Sequence, residues 1–310
     1  MTDIDISKPF VLETTMDKWN DIISFNQLFL TNFVFRGQCN ASWKLQSSLH
    51  RLVENCHPSY NDKNIPIIYE QKMIREFQHK FPLYDTTKHI DKGNSVEWLT
   101  LMQHYGAPTR LIDFSQSIFV ALFFALDGGY QNDSIIWAVN KSAVRSAYVK
   151  SYCEENDCQQ VGEDELNDYI RGIANSVIGR ILPNDIKQQV LPIYPEIVNE
   201  RITIQQGLFL MTNDLRNEFN EVLFQFLDIN DNIIKVEPTN LLNLSYHEQA
   251  KHGLKNLVMF KFVIPARFKW QLTQLLYQMN ITAETLYPGL SGLAKSLSRL
   301  QLRQYSVYDD

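Results

Sequence analysis

The chain carries the segment His104-Tyr-Gly-Ala-Pro-Thr-Arg-Leu-Ile-Asp-Phe-Ser115, followed by the apolar run Ile118–Leu126. Pro108 fixes its own φ angle and disfavours a helix at the residue before it, so the preceding helix should end there. Asp113 and Ser115 can each accept hydrogen bonds from the free N–H groups at the start of the apolar run. The segment therefore predicts two helices joined by a connection rich in ionisable residues, a place where anions bind readily.

Further motifs lie on both sides of this segment. Two precede it, Phe35-Arg36-Gly37-Gln38 and Trp43-x-Leu45-x-Ser47-Ser48-Leu49-x-Arg51. Two follow it, Arg201-Ile-Thr-Ile-Gln205-Gln206-Gly207-Leu-Phe209 and Ile281-Thr-Ala-Glu284-Thr-Leu286-Tyr-Pro-Gly-Leu290-x-Gly292-Leu293. Together they resemble the FRG domain family, which is named for its Phe/Tyr-Arg-Gly motif and is found mostly in bacteria and their mobile elements. The resemblance runs from about residue 33 to about residue 297 and implies a single FRG-type domain over residues 1–310.

Composition limits the class of protein. The chain has 310 residues, a net charge of −6, 45% hydrophobic residues and 21% charged residues, which is typical of a globular protein with a sizeable core. The acidic balance argues against nucleic acid as a general ligand. The longest apolar run, Ile118–Leu126, is far shorter than the ~20 residues that a membrane helix needs. We therefore expect a soluble cytoplasmic protein that does not bind membranes, with reduced cysteines and no metal site.

The predicted fold class is α+β, with a mixed, mostly antiparallel sheet, flanking helices and a relation to the ADP-ribosyltransferase-like fold. The polar region 141–190 is predicted to be a helical insertion or peripheral part, with a helix over 163–182. Hydrophobic periodicity predicts the other elements. The predicted strands are 32–36, 134–140, 202–205, 208–211, 233–236 and 257–264, and the predicted helices are 66–81, 95–105, 118–126, 215–227, 267–279 and 290–303.

Arg36 is the leading candidate for a ligand-binding and catalytic residue. A guanidinium at a strand end can present a bidentate fork to a phosphate. Gly37 would let the ligand approach closely and Gln38 would add an amide contact, so both are candidate binding residues. The competing interpretation of Arg36 is a structural ion pair.

The 104–115 segment supplies further candidates, each with a structural alternative. His104 could act as a general acid or base, or cap a helix C-terminus. Arg110 and Asp113 could bind ligand, or pair with each other and organise the loop. The remaining binding candidates are Tyr105, which could stack on a ring or be buried, and Thr109 and Ser115, whose hydroxyl groups could contact ligand or cap the helix.

The later motifs are more ambiguous. Gln205 lies in a predicted strand beside Gly207, which could form a bulge, and we take Gln205 as a third catalytic candidate. Glu284 could be a catalytic carboxylate, but Thr282 ahead of it favours a helix cap. Trp43 is expected to pack in the core.

The order of motifs resembles the Arg, Ser/Thr and Glu order of ADP-ribosyltransferase-like folds at the level of fold analogy. That resemblance implies NAD as substrate, with Arg36 on the phosphates, Thr109 or Ser115 near the nicotinamide and Gln205 in the third position. Gln205 departs from the pattern because an amide cannot supply the charge that stabilises an oxocarbenium ion.

Three functions remain open at this point. The first is an NAD-using ADP-ribosyltransferase or NAD glycohydrolase, as a toxin or phage-defence effector. The second is a non-catalytic module that senses a nucleotide or dinucleotide, or that binds a protein partner. The third and weakest is a nuclease. A protein acceptor of ADP-ribose is a further partner that the first function implies.

Overall fold

The computed structural model describes residues 8–16, 19–23, 32–57, 62–86, 89–196, 200–229, 233–235 and 256–297. The strands are β1 Phe10–Thr15, β2 Phe33–Gln38, β3 Ile112–Ser115, β4 Ser134–Asn140, β5 Val190–Ile193, β6 Gly207–Thr212, β7 Ile233–Lys235 and β8 Leu257–Ile264. The helices are α1 Ser48–Cys56, α2 Ile65–Lys80, α3 Ser95–His104, α4 Ile118–Leu126, α5 Lys141–Asn156, α6 Glu163–Val177, α7 Glu200–Ile204, α8 Phe219–Phe226, α9 Ala266–Gln278, α10 Ala283–Leu286 and α11 Leu290–Leu297. None of these helices is long and apolar enough to cross a bilayer.

The strands form one mixed sheet in the order β5-β6-β3-β2-β4-β8-β1-β7. The pairings from β5 through to β8 are antiparallel, and β1 lies parallel to both β8 and β7. The prediction of an α+β fold with a mostly antiparallel sheet and flanking helices is therefore confirmed. The relation to the ADP-ribosyltransferase-like fold stays a prediction.

Both faces of the sheet are buried, and the side chains of each strand alternate between the two faces. Along β2, Val34 belongs to one core and Phe33 and Phe35 belong to the other. Helices α3, α5, α6 and α8 contribute buried side chains to the first core, and α4, α9 and α10 contribute to the second. Region 141–190 contains α5 and α6, and α6 ends at Val177 rather than at the predicted residue 182. Tyr148 of α5 is fully buried in the first core. That the region is an insertion or a peripheral part stays a prediction.

Continuous apolar runs gave the most accurate predictions. The bounds of α4, β4 and β8 match the predicted ranges, and Ser117 caps α4 by accepting from the amide of Val120 at 3.4 Å. Thr282 forms the predicted cap of α10, with Thr285 completing a capping box. The predicted ends at residues 236 and 303 lie outside the described residues.

Several predictions about local structure were wrong. Residues 112–115 form β3 rather than a loop, so Asp113 sits in a strand and does not cap α4. Residues 200–204 form α7 rather than a strand, and Gln205 follows that helix. Gly207 forms no bulge; the left-handed residue is Gln206, with φ 48°, and Gly207 begins β6. The strands β1 and β5 were not predicted.

Candidate functional site

A cleft with a volume of about 800 Å³ opens where β2 and β3 separate. In the described sheet these two strands share one register pair, Phe35 with Ser115, whereas β2 is paired with β4 along its whole length. Residues from α1, α3, the loop after β2 and the segment around Gln205 line the cleft. This volume lies within the range of about 300–1,000 Å³ that is usual for small-molecule sites.

Arg36 bridges the opening between the two strands. Its Nη1 donates to the carbonyl oxygen of Asp113 at 2.8 Å and lies 3.6 Å from the Asp113 carboxylate. The guanidinium thus makes a contact where the ladder between β2 and β3 no longer continues. The backbone of Arg36 pairs with β4, and its side chain is held by Asp113 of β3.

The burial of Arg36 leaves part of its hydrogen-bonding capacity unused. Its side chain is only 17% exposed, and within the described residues the buried Nε has no hydrogen-bond partner. Burial lowers the pKa of Arg36, the charge of Asp113 opposes that effect, and the nearby charge of Arg51 lowers the pKa further. A buried cation with an unpartnered donor is stabilised by an anionic ligand.

Asp113 is the central carboxylate of the cleft. Its side chain is 59% exposed, and its Oδ2 accepts from the Gln103 amide at 3.1 Å. Gln103 is in turn held by the Thr109 hydroxyl, which donates to its Oε1 at 2.6 Å. These contacts fix the direction of the Asp113 carboxylate while leaving it open to a ligand.

The C-terminal end of α3 brings His104 but not Tyr105 into the cleft. His104 is half-buried and lines the cleft. The Tyr105 ring lies edge-on to the His104 ring, with centroids 5.0 Å apart, and Tyr105 is 60% exposed outside the cleft lining. A stacking role for Tyr105 on a ligand in this cleft has no geometric basis here.

Arg110 and Thr109 lie behind the cleft rather than in it. Arg110 forms a bidentate pair with Glu70, in which Nε donates to Oε1 at 2.7 Å and Nη2 donates to Oε2. Its Nη1 donates to the carbonyls of Thr212 and Asn213 at 3.1 and 3.2 Å. The expected pairing of Arg110 with Asp113 is therefore wrong, because a fully buried guanidinium is satisfied by a partner 40 residues earlier in the chain.

Gly37 and Gln38 line the cleft, but their main contacts are with the rest of the fold rather than with the open cleft. A Cβ on Gly37 would lie 1.8 Å from the carbonyl oxygen of Ala121, so the missing side chain allows β2 to pack on α4. The Gln38 amide accepts from the Trp137 indole at 2.5 Å and donates to the Lys44 carbonyl at 3.0 Å. These contacts orient β2 and the loop after it.

Ser115 and Gln205 meet at the far wall of the cleft. The Ser115 hydroxyl donates to the Gln205 carbonyl at 2.7 Å and accepts from the Ser117 amide at 3.0 Å. The Gln205 side chain donates through Nε2 to the Leu286 carbonyl at 2.9 Å. This wall joins β3, the end of α7 and α10, and Arg36, His104, Asp113, Ser115 and Gln205 thus share one cleft.

The cleft residues that sequence reasoning did not select as site residues include three from the stretch that follows β2. Arg51 projects from α1, and Trp43 and Lys44 come from the loop after β2. Trp43 is 53% exposed, which corrects the expectation that it packs in the core. Lys44 pairs with Glu218 at 2.6 Å. All three residues lie in the motif that runs from Trp43 to Arg51. The motif alone does not show which of its side chains face a cleft and which are buried.

The helix that carries Arg51 is anchored by a buried histidine. His50 Nδ1 lies 2.9 Å from the Ser47 hydroxyl, and its Nε2 lies 3.0 Å from the Leu215 carbonyl. Burial lowers the pKa of His50 below its ordinary value of 6.5; the Leu215 carbonyl opposes this shift and the charge of Arg110 adds to it. The neutral ring is therefore the form that the fold favours.

We expect acid to weaken the fold through His50. The folded chain binds this proton less readily than the unfolded chain, so the free energy of unfolding falls as the pH drops below about 6.5, by at most about 1.4 kcal/mol per pH unit. Urea unfolding at pH 7.5 and 5.5, with His50→Gln beside the wild type, measures this. The variant should lose less stability between the two pH values. An equal loss in both proteins would exclude His50 as the source.

Metal chemistry receives no geometric support from the part of the chain that the structure describes. No group of three or more His, Cys, Asp or Glu residues lies close enough together there to hold a metal ion. The four cysteines are free thiols, and the Sγ atoms of Cys153 and Cys158 lie 3.1 Å apart.

Fold and site together define an α+β protein with an arginine-based cleft at a split in its sheet. Residues 31–134, about a third of the chain, match the family model of the FRG domain. The match extends from the start of β2 to the start of β4 and confirms the resemblance there; its extension to residue 297 stays a prediction. No curated protein and no solved structure matches the chain.

Proposed function

We propose that this protein is an NAD-consuming enzyme, either a glycohydrolase or an ADP-ribosyltransferase, whose cleft binds the phosphates of NAD at Arg36. The observation that carries the proposal is the buried Arg36 guanidinium, with its unpartnered Nε, at the base of a cleft of about 800 Å³. An anionic ligand at the accessible part of the guanidinium, whose side chain is 17% exposed, would offset the cost of burying the charge. Such an activity would serve a toxin or a phage-defence effector.

The proposed reaction breaks the bond between nicotinamide and ribose. The bonding electron pair leaves with nicotinamide, and water or an acceptor then attacks the sugar and loses a proton. Asp113 can supply the negative charge that an oxocarbenium ion requires and that Gln205 lacks, because its carboxylate is 59% exposed in the cleft. His104, which is half-buried in the same cleft, can accept the proton of the attacking group.

Release of nicotinamide from NAD tests the proposal. We expect wild-type protein to release it and Arg36→Gln to be slower by about tenfold to a hundredfold at low NAD concentration, because a hydrogen bond to a charged phosphate contributes about 1.5–3 kcal/mol to binding. Arg145→Gln is the matched control, since Arg145 is an exposed arginine that does not line the cleft. Gln205→Ala and Asp113→Asn, compared at equal thermal stability, separate the two residues proposed for the sugar.

A nucleotide sensor is the second candidate function. The observation that favours it is that Asp113 is already engaged by Arg36 and Gln103, which reduces its availability for a cationic sugar. A sensor would bind NAD without cleaving it, and NAD would raise the thermal unfolding midpoint in the wild type but not in Arg36→Gln. If NAD is not cleaved and does not raise the unfolding midpoint, NAD is not a ligand of this protein.

A further inference from the structure

A second arginine shares the cleft with Arg36 and has no role in the function proposed above. Arg51 is exposed on α1, lines the cleft, and is close enough to Arg36 for its charge to act on it. Its Nη1 donates to the Gln46 carbonyl at 2.7 Å, which fixes the direction of the guanidinium. Within the described residues, no carboxylate lies within 4 Å of Arg51, whereas Arg36 has Asp113. Two like charges thus line the same cleft.

Two acids, Asp113 and Glu54, act on the charge of Arg51, but in the described part of the chain neither lies within ion-pair distance of it. Asp113 is shared by Arg36 and by the Gln103 amide. Glu54, on the same helix as Arg51, accepts from the Gln46 amide at 2.6 Å. Arg36 and Arg51 are therefore a pair of guanidiniums of which, among the described residues, only Arg36 has a carboxylate within 4 Å. A ligand with two linked anionic groups is the complement of such a pair.

An exposed aromatic ring lies in the same stretch of chain. Trp43 is 53% exposed and lines the cleft, in the loop that joins Arg36 on β2 to Arg51 on α1. The exposed face of this indole ring offers a stacking site for a planar ring.

We infer that the cleft recognises ligands in which a pyrophosphate bears a ring-containing group, with Arg36 and Arg51 on the two phosphates and Trp43 stacked on the ring. This inference rests on the proposed function for the placement of phosphate at Arg36, but it does not require NAD to be cleaved. It names Arg51 as a specificity residue that selects two linked phosphates over one.

Isothermal titration with ADP-ribose, AMP and inorganic pyrophosphate tests the inference. We expect wild-type protein to bind ADP-ribose at least tenfold more tightly than AMP, because one extra charge-assisted contact changes affinity by about tenfold to a hundredfold. Arg51→Gln should bind both compounds alike, and Arg51→Lys should recover part of the preference. Trp43→Ala should weaken ADP-ribose binding and leave pyrophosphate binding unchanged.

Arg75→Gln is the control, because Arg75 is an exposed arginine of α2 outside the cleft. Thermal unfolding of each variant checks that it remains folded. If Arg51→Gln is unfolded, the comparison of wild type with Arg51→Lys replaces it. Equal affinities of wild type and Arg51→Gln for ADP-ribose would overturn the inference, even if NAD is cleaved. Arg51-dependent binding of ADP-ribose without nicotinamide release would support the inference while the proposed enzyme activity fails.

Discussion

Replacing Gly37 by alanine should lower the free energy of unfolding by at least about 3 kcal/mol, the upper part of the range for overpacked cores. The added Cβ would lie 1.8 Å from the Ala121 carbonyl oxygen and 2.5 Å from the Ala125 amide nitrogen. Both atoms belong to the backbone of α4, so no side-chain rotation relieves the clash. Strand β2 would have to move away from α4, and Arg36 would move with it.

Gly172→Ala is the matched control for this prediction. Gly172 is exposed within α6, and a Cβ there would meet nothing within 4 Å. Alanine should stabilise that helix by about 0.5–1 kcal/mol. Urea unfolding of both variants measures the contrast. A Gly37→Ala protein within 1 kcal/mol of the wild type would contradict the close packing of β2 on α4.

Removing the guanidinium of Arg110 should cost about 3–5 kcal/mol of stability, as expected when one partner of a buried ion pair is lost. The side chains of Arg110 and Glu70 are each 1% exposed. In Arg110→Met the Glu70 carboxylate keeps the Gly179 amide, at 2.8 Å, but loses both guanidinium contacts. The carbonyls of Thr212 and Asn213 also lose their donor.

A double-mutant cycle separates the pair from its surroundings. Arg110→Met with Glu70→Leu should be more stable than the sum of the two single changes predicts, because an apolar pair leaves no unpaired charge. Additive losses across the cycle would show that the pair is not coupled.

The sequence predicted the long apolar elements well and the short ones poorly. Runs such as Ile118–Leu126 and Leu257–Ile264 are bounded by turn residues, so their ends can be read directly. Strand β3 has four residues and an exposed Asp113, and its identity depends on pairing with β6, almost a hundred residues later. Helix α7 has two isoleucines at strand-like spacing, and the surrounding structure decides against a strand.

One cleft contains part of the predicted set of site residues, whereas Tyr105, Thr109 and Arg110 do not line it, and the roles of all of them stay predictions. Arg36, His104, Asp113, Ser115 and Gln205 were expected to meet, and one cleft contains them. The partner of Arg110 could not be foreseen, because Glu70 lies in a helix whose pattern indicated only scaffold. Arg51 and Trp43 lay within a motif that was already noted, but whether a motif residue faces a cleft or a core depends on tertiary structure.

The split between β2 and β3 has a consequence for amide hydrogen exchange. β4 and β8 are each covered by strands on both edges, so their amide protons should exchange only when the whole sheet opens. The facing edges of β2 and β3 touch at Phe35 and Ser115 alone in the described sheet, so amide protons along that seam should exchange through small local openings. Deuterium uptake along this seam should slow when the cleft is occupied, which would report ligand binding without a chemical assay.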